Sequence, residues 1–145
     1  WYGTFVTTPK VSKEEAKVDI VTEVMNETDS FVTCRLVSVI EYKGKEVIRI
    51  EENGTLNPKS QKPFHQTGKI KEPKLWHPDT PNLYVLKSYV YLGEELYDCY
   101  DTSFGIRWFE FTPDKGFFLN GEHFNINGAN VHQDHAGWSD AVTHA

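Results

Sequence analysis

The chain has 145 residues, with 21 Asp and Glu against 15 Lys and Arg, for a net charge of −6. That length suits one domain or one domain with part of another, and it can bury a core without help from disulfides or metals. The acidic balance argues against a nucleic-acid or anionic-membrane partner, and no apolar run reaches the ~20 residues of a membrane span.

Residues 1 to 16 are polar around Pro9 and read as a lead-in, beginning at Trp1 without an initiator Met, as an excised segment would. Ser12 and Glu15 mimic a helix capping box, but no apolar helical face follows, so no helix is expected. Val18, Ile20, Thr22 and Val24 alternate with Asp19 and Glu23, the period of a half-buried strand. A turn over Asn26-Glu27-Thr28-Asp29 leads to a second strand with Val32, Cys34, Leu36, Ser38 and Ile40 on one face. Lys43-Gly44-Lys45 turns the chain into Val47–Ile50. A polar link with Gly54, Pro58 and Pro63 should follow, and then a short strand near Gln66 to Ile70. Asn26 and Asn53 each begin a three-residue glycosylation pattern of a kind that also arises by chance.

Leu75 to Tyr84 is a two-proline corner, because Pro78 and Pro81 each remove a backbone donor and pre-set φ. Trp76, fixed in that corner, is expected in the core. Tyr84, Leu86, Ser88 and Val90 alternate with Lys87 and Tyr89, and Gly93-Glu94-Glu95 turns into a partner strand from Leu96 to Phe104. Short strands separated by turn signals, with no helix, make the chain all-β and point to a two-sheet sandwich. Cys34 and Cys99 lack an immunoglobulin disulfide framework and read as two buried free thiols. His65, His77 and His123 read as surface residues.

Asn120-Gly121, between Leu119 and Phe124, is the strongest hairpin signal, since a two-residue type I′ turn needs φ > 0 twice. Phe124 to Asn130 then alternates for a few residues and runs into Asn130, His132, Asp134 and His135. Imidazole and carboxylate can bind metal, but candidates this close in sequence rarely converge on one ion, so neither a metal nor a cofactor is expected.

Four blocks in order carry a resemblance: Leu75-Trp76-x-Pro-x-Thr-Pro-x-Leu-Tyr84, Phe104-Gly105-Ile106-Arg107, Gly116-Phe117 to Gly121, and Gly128-Ala129-Asn130-x-His132-x-Asp134. Together they resemble glycoside hydrolase family 2, of the β-galactosidase type. The resemblance implies that residues 1–110 are the immunoglobulin-like middle domain. Residues 111–145 would then be the opening hairpin and first strand of an incomplete (β/α)8 barrel. It places Asn130, His132 and Asp134 at the C-terminal end of that strand, the face on which barrel active sites are built, as substrate contacts. Arg107 would tie the two domains by hydrogen bonds, and Trp138 would pack rather than stack on a sugar.

Retaining glycosidases need two carboxyl groups. In this family both are Glu on later barrel strands, so they are expected downstream of Ala145, and this segment alone should be inactive. The sole Asn-Glu pair, Asn26-Glu27, lies in a turn. The implied partners are the parent's sugar-binding domain and barrel, with a carbohydrate substrate. A barrel cannot close from one strand, so the tail from 124 is expected to be disordered, to fold back on the sandwich, or to pair with a second copy. A free-standing immunoglobulin-like or carbohydrate-binding module is the alternative. Compartment stays open between bacterial cytoplasm and periplasm.

Overall fold

A computed structural model describes residues 3–130. Nine strands make the sandwich and corner and three more a small sheet, and all pair antiparallel. In order they are β1 (Thr4–Val11), β2 (Glu15–Asn26), β3 (Val32–Tyr42), β4 (Lys45–Leu56), β5 (Ser60–Lys71), β6 (Trp76–His77), β7 (Thr80–Pro81), β8 (Tyr84–Leu92), β9 (Glu95–Phe104) and β10 (Phe109–Thr112). Two more, β11 (Gly116–Leu119) and β12 (Glu122–His123), complete a small sheet with β10. One face of the sandwich is β1-β2-β5, the other β4-β3-β8-β9, and β6 pairs with β7 in the corner. The chain crosses between sheets after β2, after β4 and again after β5, which gives the strand arrangement of an immunoglobulin-type sandwich.

The inward alternation on β2 and β3 comes out as read. Ala16, Val18, Ile20 and Thr22 are buried on β2, and Cys34, Leu36, Ser38 and Ile40 on β3. Val37 and Val39 are buried as well, on the other face of β3. Both flanking strands of β3 shelter that face, since β3 is central in its sheet.

Three expectations change. The polar lead-in contains a strand, β1, whose Thr4 to Thr7 pair with Thr22 to Asp19. Ser12 makes its cap-like bonds there, but for a tight turn: Ser12 Oγ accepts from the Glu14 and Glu15 N–H at 3.1 Å each, and Ser12 N–H donates to Glu15 O at 2.8 Å. The polar link is not a link either, because β4 runs on to Leu56 and β5 starts at Ser60. Pro63 is tolerated there since β5 is the edge of its sheet, where one side needs no backbone donor. Finally, Cys34 is buried but Cys99 is exposed, and both are free. Cys99 lies on β9, the edge strand, along which Leu96, Tyr97 and Tyr100 are also exposed. Burial pushes the Cys34 thiol above the usual range.

The turns obey the backbone rules the sequence suggested. Lys43 and Gly44 have φ of 51° and 76°, and they join Tyr42 to Lys45 as a two-residue type I′ hairpin. Asn26 is buried and spends its whole side chain on two turns, the one that follows it and the one between β4 and β5. Its amide donates to Ser30 O at 2.8 Å and Asn57 O at 2.9 Å, while Oδ1 accepts from Thr28 N–H at 3.0 Å and Thr28 Oγ1 at 2.8 Å. An amide so engaged is not a free glycosylation acceptor.

Two apolar clusters fill the sandwich. The larger gathers Ala16, Val18, Ile20, Ile40, Ile70, Tyr84, Leu86 and Ile106; the smaller holds Cys34, Leu36, Leu56 and Phe64. Tyr84 is the largest fully buried side chain. Its ring lies between Tyr42, at 5.0 Å, and Phe104, at 5.7 Å, and its hydroxyl accepts the Lys74 backbone N–H at 2.8 Å. Burial raises the phenol's pKa, with the Lys74 N–H working against that rise. Tyr84→Phe leaves the Lys74 N–H without its partner and should lower stability by about 1–2 kcal/mol in urea unfolding, with m unchanged.

Candidate functional site

The corner and the hairpin meet at one end of the larger cluster, and each residue there has a local reason to be where it is. Trp76 and His77 pair with Pro81 and Thr80, so the two prolines close a miniature hairpin. Asn82 buttresses it from inside: its amide donates to Leu75 O at 3.0 Å, and its Oδ1 accepts from Tyr42 Oη at 2.7 Å. Trp76 N–H donates to Ile106 O at 2.8 Å, which lays the corner against the segment leaving β9.

Trp76 is half-buried rather than core. Its indole forms a wall at the junction and not part of the inter-sheet packing. Gly105 lies against that wall, and a Cβ there would come within 3.0 Å of Trp76 Cβ and 3.1 Å of Cγ and Cδ1. The glycine in Phe104-Gly105-Ile106-Arg107 is therefore a close-approach glycine. Ile106 beside it is fully buried, and the exposed Arg107 places its guanidinium 5.0 Å from the centre of the Trp76 ring. Arg107 thus bridges corner and linker through an aromatic face, where the resemblance implied hydrogen bonds.

Asn120 makes the tie to the hairpin. With φ of 54° at Asn120 and 81° at Gly121, the turn between β11 and β12 is the type I′ form read from the sequence. Asn120 is 8% exposed, which is unusual for a turn residue. Its backbone N–H donates to Trp108 O at 2.9 Å, its Oδ1 accepts Trp108 N–H at 3.2 Å, and its amide donates to Trp76 O at 2.9 Å. One side chain thereby joins corner, linker and hairpin. No sequence signal distinguishes this Asn from any other favoured at a type I′ turn, so the turn was legible and the tie was not.

The outer face of the hairpin is aromatic. Phe109 and Phe111 are 59% and 68% exposed. Their rings lie 6.1 Å and 4.8 Å from that of Phe117, which in turn is 6.3 Å from Phe124. Phe124 meets His77 edge-on at 5.4 Å, and its N–H donates to Phe117 O at 3.0 Å. His77 is therefore half-buried and engaged, unlike the free surface histidine expected, whereas His65 and His123 are exposed.

Beyond Phe124 the strand expected from the alternation does not form over residues 125–130, which are exposed and lack a neighbouring strand among the described residues. Alternation marks which face could be buried, but a ladder needs a second chain segment beside it. Asn130 is exposed at the end of the described residues. His132 and Asp134, with His135 and Trp138, lie outside them. Among the described residues no three His, Cys, Asp or Glu side chains converge as a metal site would require, and no helix is long and apolar enough to cross a membrane.

Comparison with known proteins bears on the whole arrangement. The sequence model described as Glycosyl hydrolases family 2 matches residues 3–107. The chain is 37% identical over 134 residues to the β-galactosidase BoGH2A of Bacteroides ovatus, covering 92% of this chain and 16% of that protein. A putative β-glucuronidase of Formosa agariphila is 30% identical over 138 residues, 95% of this chain and 16% of that protein. Among solved structures, a Bacteroides uniformis β-glucuronidase superposes with a TM-score of 0.88 at 32% identity, over 97% of this chain and 17% of that one. The chain thus spans about one sixth of the length of these relatives.

Proposed function

The chain belongs to glycosyl hydrolases family 2, and from that premise we propose that it is the non-catalytic linker unit of a retaining β-glycosidase, a β-galactosidase. The observation that carries the proposal is the tie through Asn120, whose side chain joins the hairpin to the corner and to the linker leaving the sandwich. In this reading residues 1–110 form a spacer domain and residues 111–145 begin the catalytic barrel. The spacer orients the barrel's first strand, and the exposed Phe109 and Phe111 rings, with the half-buried Phe117 beside them, are the surface on which the rest of the barrel seats. A large apolar patch rimmed by polar residues suits burial against another domain better than exposure to water. Asn130, His132 and Asp134 then contact the sugar's hydroxyls in the assembled enzyme, while the nucleophile and the acid/base are two carboxylates supplied by the barrel. A free-standing module would gain nothing from a hairpin held in one orientation.

A panel of aryl β-glycosides tests the proposal. The full-length protein should hydrolyse the β-galactoside faster than the β-glucuronide or β-mannoside, and residues 1–145 alone should hydrolyse none. Fastest turnover of the glucuronide would correct the sugar while leaving the linker role standing. A full-length protein inert on the whole panel would overturn the glycosidase reading.

A further inference from the structure

The chain contains three Asn-Gly pairs, Asn53-Gly54, Asn120-Gly121 and Asn127-Gly128. Such pairs are chemically labile. The backbone nitrogen that follows an asparagine can attack the side-chain Cγ, and glycine offers that nitrogen with no Cβ to hinder the approach. Ring closure needs the backbone at the asparagine to leave the extended form and the amide to swing free of its hydrogen bonds. A fold that fixes either one suppresses the reaction, and the three pairs differ in these two respects.

Asn53 is held through its backbone. It sits within β4, paired with Arg35 across the ladder, while Gly54 is paired with Cys34 and lies under the Phe64 ring. Asn120 is held through its side chain, whose amide donates to Trp76 O at 2.9 Å and whose Oδ1 accepts Trp108 N–H at 3.2 Å. Asn127 is held by neither. Residues 125–130 are exposed and belong to no ladder among the described residues. The Asn127 side chain makes no hydrogen bond among the described residues, and a Cβ at Gly128 would meet nothing within 4 Å.

We propose that Asn127-Gly128 is a self-modifying site, which deamidates whenever residues 125–130 stand unpaired. The Gly128 nitrogen bonds to Asn127 Cγ, the Cγ–Nδ2 bond breaks, and Nδ2 leaves as ammonia with the proton that the glycine nitrogen gives up. Water then opens the succinimide. Hydrolysis at one carbonyl leaves an aspartate at this position, and at the other an isoaspartate whose main chain runs through the side-chain carbon. Either product adds a negative charge to a chain already at −6, three residues before Asn130. The isoaspartate also lengthens the main chain by one carbon, which throws the residues beyond it out of step with a neighbouring strand, because side chains alternate with a period of two. What this does to the enzyme rests on the reading of residues 111–145 as the opening of the barrel. Paired there between neighbouring strands, Asn127 gains the backbone restraint that protects Asn53, so the reaction runs only in chains whose barrel is unformed or open. Opening then becomes irreversible, and the lifetime of the enzyme is set by a rate instead of an equilibrium.

Peptide mapping by mass spectrometry, during incubation at physiological temperature and mildly alkaline pH, tests the site on the 145-residue chain, whose sandwich carries its own core, and on the full-length protein. In the 145-residue chain Asn127 should convert at least about tenfold faster than Asn53 or Asn120, because a laddered or bonded residue must first open locally. In urea the three should convert at similar rates, since each precedes glycine. Gly128→Ala, where the new methyl has space, should slow conversion at Asn127 without moving the urea midpoint. If Asn127 converts no faster than the other two in the folded chain, the proposal is overturned. It is overturned as well if the same ranking persists in urea, since local sequence and not the fold would then set the order. In the full-length protein conversion at Asn127 should fall toward the rate at Asn53. An undiminished rate there, beside fast conversion in the 145-residue chain, leaves the site standing and overturns instead the reading of this segment as a barrel strand.

Discussion

Asn120→Ala is expected to lower stability by about 2–4 kcal/mol and to free the hairpin from the sandwich. Two effects add. The substitution leaves Trp76 O and Trp108 N–H without their side-chain partners, at about 1–3 kcal/mol for each group that stays buried. It also puts Ala at φ of 54°, where a residue with a Cβ is strained by about 1–2 kcal/mol and Asn is better tolerated than most. Asn120→Gly separates the two, since glycine accepts the backbone and loses only the side-chain bonds. Asn120→Asp separates them differently: the acceptor to Trp108 N–H survives, but a carboxylate oxygen then faces Trp76 O. Urea unfolding should therefore rank the variants wild type, then Gly, then Ala. If Ala and wild type unfold at the same midpoint, Asn120 is not a tie and the proposed linker role loses its support. In the full-length enzyme the same variants should lower kcat more than they raise KM, because a loose first strand misplaces groups that bind substrate.

The second large effect sits at the far end of the sandwich, where Phe64 covers Gly54. A Cβ on residue 54 would lie 2.5 Å from Phe64 Cζ and 2.6 Å from Cε1. Phe64 is 1% exposed within a cluster of four buried residues, so its ring has little room to withdraw. Gly54→Ala should cost about 1–3 kcal/mol by overpacking, and Phe64→Ala about 3–5 kcal/mol through the cavity it leaves. Pairing the two is informative. Gly54→Ala with Phe64→Leu should recover part of the loss from Gly54→Ala, because the smaller side chain leaves space for the new methyl. Strict additivity in a double-mutant cycle would show that the contact does not set the cost.

What the sequence revealed of this molecule followed burial on one face. Val18 to Val24 and Val32 to Ile40 alternate because a sheet core lies on one side of each strand, and the period survives in the residues. The misses share a cause. Thr4–Val11 and Ser60–Lys71 are edge strands of their sheet, only partly covered, so the missed residues carry little periodic signal. Gly54, Pro58 and Pro63 read as breakers, yet Gly54 is where a phenyl ring crosses the backbone and Pro63 stands where one missing N–H costs nothing. Trp76 looked like core because large apolar residues usually are, and the close approach of Gly105 instead makes it a junction wall. The corner motif and the Asn120-Gly121 turn were legible as backbone geometry. The polar contacts they support were not, because an amide's partners are chosen by residues distant in sequence.

The pairing of β2 with β5, from Glu15 opposite Lys71 to Asn26 opposite Ser60, has a kinetic consequence. The whole β3–β4 hairpin must be accommodated before those two strands can meet, and β8 must then dock on β3 across the corner. Such non-local pairing belongs to the slow end of small-domain folding, on the order of milliseconds to seconds. Local hairpins β1–β2, β3–β4 and β8–β9 can close early, whereas the pairings of β2 with β5 and of β3 with β8 wait on long-range encounters. On a ribosome emitting residues in sequence, the sheet containing β9 stays open until Phe104 has cleared the exit tunnel. The hairpin that Asn120 anchors is then the first element to be born onto a finished platform.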